Sequence, residues 1–170
     1  MVALLYERGG AWQLPFVRRR ADLRDHPGQV ALPGGRVQAG EDAWAAAARE
    51  AVEELGPAAS GLHPLGAGAA FYASVTNFSV VPFVAWLPEA PAAFEPDAAE
   101  LAGVFEIPLL RLLDEAAWLT SEEPWRFRYF SWEESVVWGL TERILADLLP
   151  RFSSALAASG PRPGPPAASG

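Results

Sequence analysis

Residues 32–57 read LPGGRVQAGEDAWAAAAREAVEELGP. Within this stretch Gly35, Glu41, Arg49, Glu50, Glu53, Glu54 and Gly56 stand at the spacing G-x5-E-x7-R-E-x-x-E-E-x-G. A glycine-rich loop enters a helix: Asp42 is placed to cap its first turn and Gly56-Pro57 to stop it. At about 100° per residue, Trp44, Ala48, Ala51 and Leu55 fall in one narrow apolar stripe that can dock on a sheet. Glu50, Glu53 and Glu54, at i, i+3 and i+4, gather off that stripe. Carboxylates so close repel one another at neutral pH unless a cation neutralises them. Oxygen-only ligands suit a hard divalent ion such as Mg²⁺ or Mn²⁺. The competing reading is a solvated acidic helix face.

Seven fixed letters at fixed spacing arise by chance on the order of 10⁻⁸ times per start position at ordinary residue frequencies. The stretch resembles the Nudix box, the signature of enzymes that hydrolyse nucleoside diphosphates linked to another moiety. The resemblance implies an α/β Nudix fold, a mixed β-sheet sandwiched between α-helices, with the box as loop-helix-loop. It also implies that Glu50, Glu53 and Glu54 hold Mg²⁺ or Mn²⁺, with the carbonyl of Gly35 completing the shell. Arg49 is then expected to pair with Glu53 or Glu41 and hold the site in place.

Upstream, RRRADLRDHPGQVALPGG spans residues 18–35, with Arg18, Arg19, Arg20 and Arg24 inside seven positions. Such a cluster either receives phosphates through charge-assisted hydrogen bonds or lies solvated along its own stems. The segment resembles the upstream motif of Nudix enzymes that cleave coenzyme A. Arg24, Gly28, Pro33, Gly34 and Gly35 match, Arg19 supplies the earlier arginine, and His26 with Gln29 fits the H-x-G-Q form. Leu32 stands for the family's phenylalanine, Pro15-Phe16-Val17 for Leu-Leu-Thr, and Arg20 for a small residue. Arg19, Arg24, His26 and Gln29 are therefore the candidate substrate contacts, although His26 is equally a loop histidine that orients backbone. Inside the box, Ala51 gives the R-E-A-x-E-E form common in the coenzyme A group, and Pro57 departs from the usual final aliphatic residue.

The rest of the chain supplies the frame. Residues 2–6 and 12–17 read as a β-hairpin around a glycine turn. Residues 62–72 and 78–87 read as buried strands, His63 as a structural residue, and Pro88–Pro96 as a loop that borders the substrate in this fold. AELAGVFEIP (99–108) resembles the family's E-x-x-x-V-F-E-x-P segment, a short strand leading into a helix from Leu109. Glu100 there is either an extra carboxylate of the site or an exposed glutamate; Glu53 and Glu100 are the candidates to take a proton from water. Residues 126–132 alternate as a strand, and 133–149 read as a helix with an apolar face through Val136, Val137, Leu140, Ile144, Leu145 and Leu148. Its Trp138-Gly139-Leu140-Thr141 resembles a W-G-L-T/A turn of coenzyme A pyrophosphatases. Residues 1–152 are expected to form the Nudix domain, and 153–170, rich in Pro, Gly, Ala and Ser, a disordered tail.

Half the residues are hydrophobic (51%), enough for one domain with a substantial core, and no apolar run reaches the length of a membrane span. The chain has no cysteine, so no disulfide framework. A formal net charge of −8 argues against a nucleic acid polymer as partner. A cytoplasmic protein is the expectation, with a homodimer left open. The substrate that the resemblance implies is coenzyme A or a thioester of it. Another diphosphate, such as ADP-ribose or a dinucleotide, and a non-catalytic nucleotide-binding module are the alternatives.

Overall fold

The computed structural model describes residues 1–73, 77–122, 124 and 126–159. Strand β1 (Val2–Arg8) turns through Gly9 and Gly10, both at positive φ, into β2 (Ala11–Arg19), the expected antiparallel hairpin. Strand β2 organises the sheet. Its start pairs with β1 and its end with the short β3 (Val30–Ala31) along one edge; β8 (Leu101–Pro108) runs antiparallel along the other. On its far side β1 pairs in parallel with β7 (Phe83–Trp86), and β7 carries the edge strand β4 (His63–Ala67). The result is a mixed six-stranded sheet.

Strand β1 is buried on both faces, and its alternation builds the two layers. Val2, Leu4 and Tyr6 face the box helix α1 (Ala43–Leu55), meeting Ala51 and Leu55. Ala3 and Leu5 face the C-terminal helix α3 (Gly139–Ser159), in the cluster that holds Ile144, Leu145 and Leu148. A mixed sheet with a helix on each face is the α/β sandwich that the resemblance implies. Asp42 caps α1 by accepting the Ala45 N–H at 2.8 Å, and Gly56 ends it at φ 88, with Pro57–Ala59 continuing as one 3₁₀ turn. The buried face of α1 runs through Ala46, Ala47, Ala51 and Leu55; Trp44 and Ala48, expected in the stripe, lie half-buried at its margin. Trp44 still packs edge-on against Phe83, with ring centroids 5.5 Å apart.

Three expectations are corrected. Residues 62–72 and 78–87 are each broken in two: β4 and β5 (Phe71–Ala73), then β6 (Phe78–Val80) and β7. Strand β4 is exposed along its length, because it lies at the sheet edge and its register shifts between Pro64 and Gly66. Second, residues 135–138 form strand β11, not the start of a helix. Glu133, at φ 50, turns β10 (Arg128–Trp132) back onto β11, and β9 (Trp118–Thr120) completes a three-stranded sheet. Val136 and Val137 alternate outward and inward, so a β-branched pair that fits a helix face as well as a strand is claimed by its cross-strand neighbours Ser131 and Phe130. After β8 the helix α2 is a single turn, Leu109–Leu112.

Third, α3 runs through the expected boundary at residue 152 to Ser159. Phe152 is buried and Leu156, one turn on, packs half-buried against the same core, so residues 153–158 gain a face that their composition does not announce. Residues 160–170 of the expected tail lie outside the described residues. Truncating the buried Phe152 (8% exposed) to alanine is expected to cost about 3 kcal/mol of unfolding free energy in a urea titration. Wild-type stability in that variant would show that this end of α3 is not docked.

Candidate active site

The box loop and α1 meet through a hydrogen bond that the local sequence does not reveal. The Gly34 N–H donates to Glu54 Oε2 at 2.8 Å, drawing this side chain in beneath the loop. Next door, Gly35 lies against Glu50 so closely that a Cβ there would overlap the Glu50 carboxylate. Glu50 and Glu54, one helical turn apart, therefore both face the Gly34–Gly35 backbone. Glu53 does not join them: its side chain is 58% exposed and turned to Arg49.

Arg49 is the hub on the outer side. Its Nε and one terminal nitrogen donate to the two Glu41 oxygens at 3.2 and 2.8 Å. Its other nitrogen reaches Glu50 at 2.9 Å and Glu53 at 3.0 Å, and the Arg36 carbonyl accepts a fifth bond at 3.1 Å. The sequence leaves Glu41 and Glu53 as alternative partners; the structure gives Arg49 both, and adds Glu50. Glu41 also accepts the Gln38 N–H at 2.7 Å. The guanidinium first, and that N–H second, hold the Glu41 carboxyl below the usual range.

Glu54 behaves oppositely. Burial pushes its carboxyl up to about 7, and the charges of Glu50 and Glu100 add to the rise, while the Gly34 N–H and the Arg19 guanidinium oppose it. The charges of Arg19 and Glu100 thus reach Glu54, although Glu100 itself is exposed. Arg19 ends β2, and its Nε is buried without a hydrogen-bond partner among the described residues. Glu100 arrives on the turn before β8, where its carbonyl accepts the Arg20 N–H at 3.1 Å. The loop of residues 21–29 is closed by bonds from Gly28 N–H to the Arg20 carbonyl (3.2 Å) and from Arg19 N–H to the Gln29 carbonyl (3.0 Å). It displays Arg24 and His26 to solvent, His26 at φ 54, with Gln29 half-buried at its end. No bond ties Arg24 or His26 to the glutamates among the described residues.

The donor set fits a hard divalent cation. Two carboxylates face a glycine backbone, the donors are oxygen only, and the raised Glu54 shows that this pocket disfavours uncompensated negative charge. Among the described residues no three acidic or histidine side chains already stand in metal-binding geometry, because Arg49 holds Glu53 outward. Of the other segments singled out in the sequence, Glu106 is structural, bonded to the Tyr6 hydroxyl and paired with Arg8 at 3.0 Å. His63 packs beside Trp86, with ring centroids 5.9 Å apart. Phe94, within the proline-rich loop, packs on Tyr6. Thr141 donates to the buried Val30 carbonyl at 3.1 Å, tying the start of α3 to β3. The Gly34–Glu54 bond and the orphaned Arg19 Nε could not have been read from the sequence, since neither carries a local signal.

Comparison with known proteins agrees with this geometry. The NUDIX domain family model matches residues 1–134. A Yersinia enterocolitica protein named "Uncharacterized Nudix hydrolase NudL" is 38% identical over 141 residues, covering 79% of this chain and 71% of its own. Its Yersinia pestis (strain Pestoides F) namesake is 39% identical over 145 residues, covering 81% and 72%. Among solved structures, a Caenorhabditis elegans Ap4A hydrolase binary complex superposes with a TM-score of 0.60 at 19% identity, over 92% of this chain and 96% of its own. The MutT protein from Methanosarcina mazei Go1 gives 0.56 at 20% identity, over 91% and 92%. At such identities these two bear on the fold alone. The box, the sheet that carries it and the curated relatives agree: the chain belongs to the Nudix family and is a hydrolase of pyrophosphate-containing substrates.

Proposed function

We propose that this hydrolase cleaves the diphosphate of coenzyme A or its thioesters, giving 3′,5′-adenosine bisphosphate and 4′-phosphopantetheine or its acyl form. The observation that carries the reading is Arg19. A buried guanidinium N–H without an acceptor is costly, and beside the box glutamates its natural partner is an anionic group of the ligand. The motif around it supports the same substrate, since Arg24 and His26 stand exposed on a loop closed against Arg19 and Arg20. With coenzyme A, Arg19 and Arg24 would meet the 3′-phosphate, which ordinary dinucleotides lack.

Glu50 and Glu54, with Glu53 and the Gly35 carbonyl, would hold Mg²⁺ or Mn²⁺. Such an ion supplies charge neutralisation at the diphosphate and a more acidic attacking water. Glu100 or Glu53 takes the proton, and Arg49 with Glu41 orients the carboxylates. A second reading, another diphosphate such as ADP-ribose or a dinucleotide, is favoured by two departures from the upstream motif. Pro15-Phe16-Val17, where the coenzyme A motif has Leu-Leu-Thr, are buried in the sheet, and Arg20 is engaged by Asp22 at 2.6 Å.

A substrate panel with Mg²⁺ and Mn²⁺, its products read by mass, separates the two. Coenzyme A should be turned over far faster than dephospho-coenzyme A, ADP-ribose or nucleoside triphosphates. Comparable rates on all four would sink the coenzyme A assignment.

A further inference from the structure

Arg20 is not among the substrate contacts drawn from the arginine cluster, and it stands where the resembling motif has a small residue. Its side chain does not point free. Nε and one terminal nitrogen donate to the two Asp22 oxygens at 2.8 and 2.6 Å, and the other nitrogen donates to the Ala98 carbonyl at 2.9 Å. Its backbone is engaged as well: the N–H donates to the Glu100 carbonyl at 3.1 Å, and the carbonyl accepts the Gly28 N–H at 3.2 Å. Asp97 organises the same turn from within. Its carboxylate accepts the Ala99 N–H at 2.8 Å, and its carbonyl accepts the N–H groups of Glu100 at 3.1 Å and Leu101 at 2.9 Å.

One residue thus joins the end of β2, the arginine-bearing loop 21–29 and the turn 97–100 that carries Glu100. The Asp22 pair is exposed, and as a surface bridge contributes little to stability. Its effect is geometric: a carboxylate gripping two guanidinium nitrogens fixes the plane of the fork, and with it the third donor, which reaches the Ala98 carbonyl. Arginine can do this and lysine cannot, because lysine offers one nitrogen for both partners.

We infer that Arg20 is a positioning residue: braced by Asp22, it clamps the Ala98 carbonyl and so holds the turn that presents Glu100 to the diphosphate site. The inference rests on Glu100 acting in the site, as in the function proposed above, but not on coenzyme A being the substrate. It is therefore tested on whichever diphosphate the wild-type chain hydrolyses fastest.

The experiment is a double-mutant cycle between Arg20→Ala and Glu100→Gln, with kcat and KM measured for all four proteins and folding checked by thermal melting. Arg20→Ala should lower kcat about tenfold, the scale of one lost charge-assisted hydrogen bond, with KM within about twofold. In the Glu100→Gln background the same change should lower kcat by less than about twofold, since the group it positions is already disabled. Arg20→Lys, which keeps the charge and one donor and serves as the second variant, should recover only part of the rate. Hydrogen exchange at residues 98–101 should rise in Arg20→Ala and Arg20→Lys alike. Additive losses of kcat in the cycle, a wild-type kcat in Glu100→Gln, or unchanged exchange at residues 98–101 would each overturn the inference. Failure on coenzyme A with success on another diphosphate overturns only the substrate assignment.

Discussion

Glu54→Gln is expected to abolish metal-dependent turnover, by on the order of 10³-fold, while making the cation-free protein more stable at about pH 8. The two halves of that result have one cause. Glu54 is drawn inward by the Gly34 N–H into a site where burial raises its carboxyl to about 7. Unfolded, the same group titrates near 4.5, so between 4.5 and about 7 the native state binds more protons than the unfolded chain. Stability is therefore full below the lower value, falls as pH rises through the window, and stays low above it. A shift from 4.5 to about 7 corresponds to an upper limit on the order of 3 kcal/mol.

Glutamine keeps an oxygen for the Gly34 N–H and carries no charge, so the variant should lose that pH dependence. In a chelator, wild type should melt lower at about pH 8 than at about pH 5 relative to Glu54→Gln. Added Mg²⁺ should raise the wild-type melting temperature at the higher pH by binding the ionised site, and leave the variant nearly unmoved. A variant that hydrolyses diphosphates at the wild-type rate would remove Glu54 from the metal site. One that melts below wild type at the higher pH would show that its charge is not a burden.

The second large effect is expected at Arg49. Arg49→Ala removes five hydrogen bonds and leaves Glu41, Glu50 and Glu53 without their shared counter-charge. Carboxylates at this spacing then repel, and the Arg36 carbonyl, which anchors the loop beside Gly35, loses its donor. Turnover should fall about 10- to 100-fold, the range seen when groups that orient metal ligands are removed, with a rise in the Mg²⁺ concentration needed for half-activation.

The acid side of the stability profile reports the same contact. Glu41 is held below its ordinary range, first by Arg49, so it contributes stability that is present above the unfolded value and lost as pH falls through the folded one. Arg49→Ala should flatten that acid limb. Arg49→Lys cannot span Glu41, Glu50 and Glu53 with one nitrogen and should restore little. If the lysine variant matches wild type in Mg²⁺ activation, the planar fork is not what holds the carboxylates.

Much of the frame was legible because it rests on local chemistry. The glycine turn of β1–β2, the Asp42 cap, the Gly56 stop and the box helix each follow from a few adjacent residues. Residues 135–138 were not legible, since a short apolar run suits a helix or a strand until its pairing partners are known. The exposure of β4 was hidden for the same reason: burial depends on what covers a strand, and among the described residues no further strand pairs beyond this edge. The end of α3 escaped a compositional reading because one buried Phe152 and a half-buried Leu156 suffice to hold an alanine-serine segment in place.

By itself the sequence determined the chemistry: the spacing of Glu41, just before a capped helix, and of Arg49, Glu50, Glu53 and Glu54 along it identifies a Nudix hydrolase before any contact is known. Only the tertiary structure separated those residues by role. It turned Glu50 and Glu54 toward the loop and Glu53 outward, left the buried Arg19 Nε without a partner among the described residues, and bonded Arg20 to the turn that carries Glu100. The reason is that helical spacing fixes which side chains share a side of α1. Which of them meets the loop is decided by a residue 20 positions away, through the Gly34–Glu54 hydrogen bond, which no local pattern encodes.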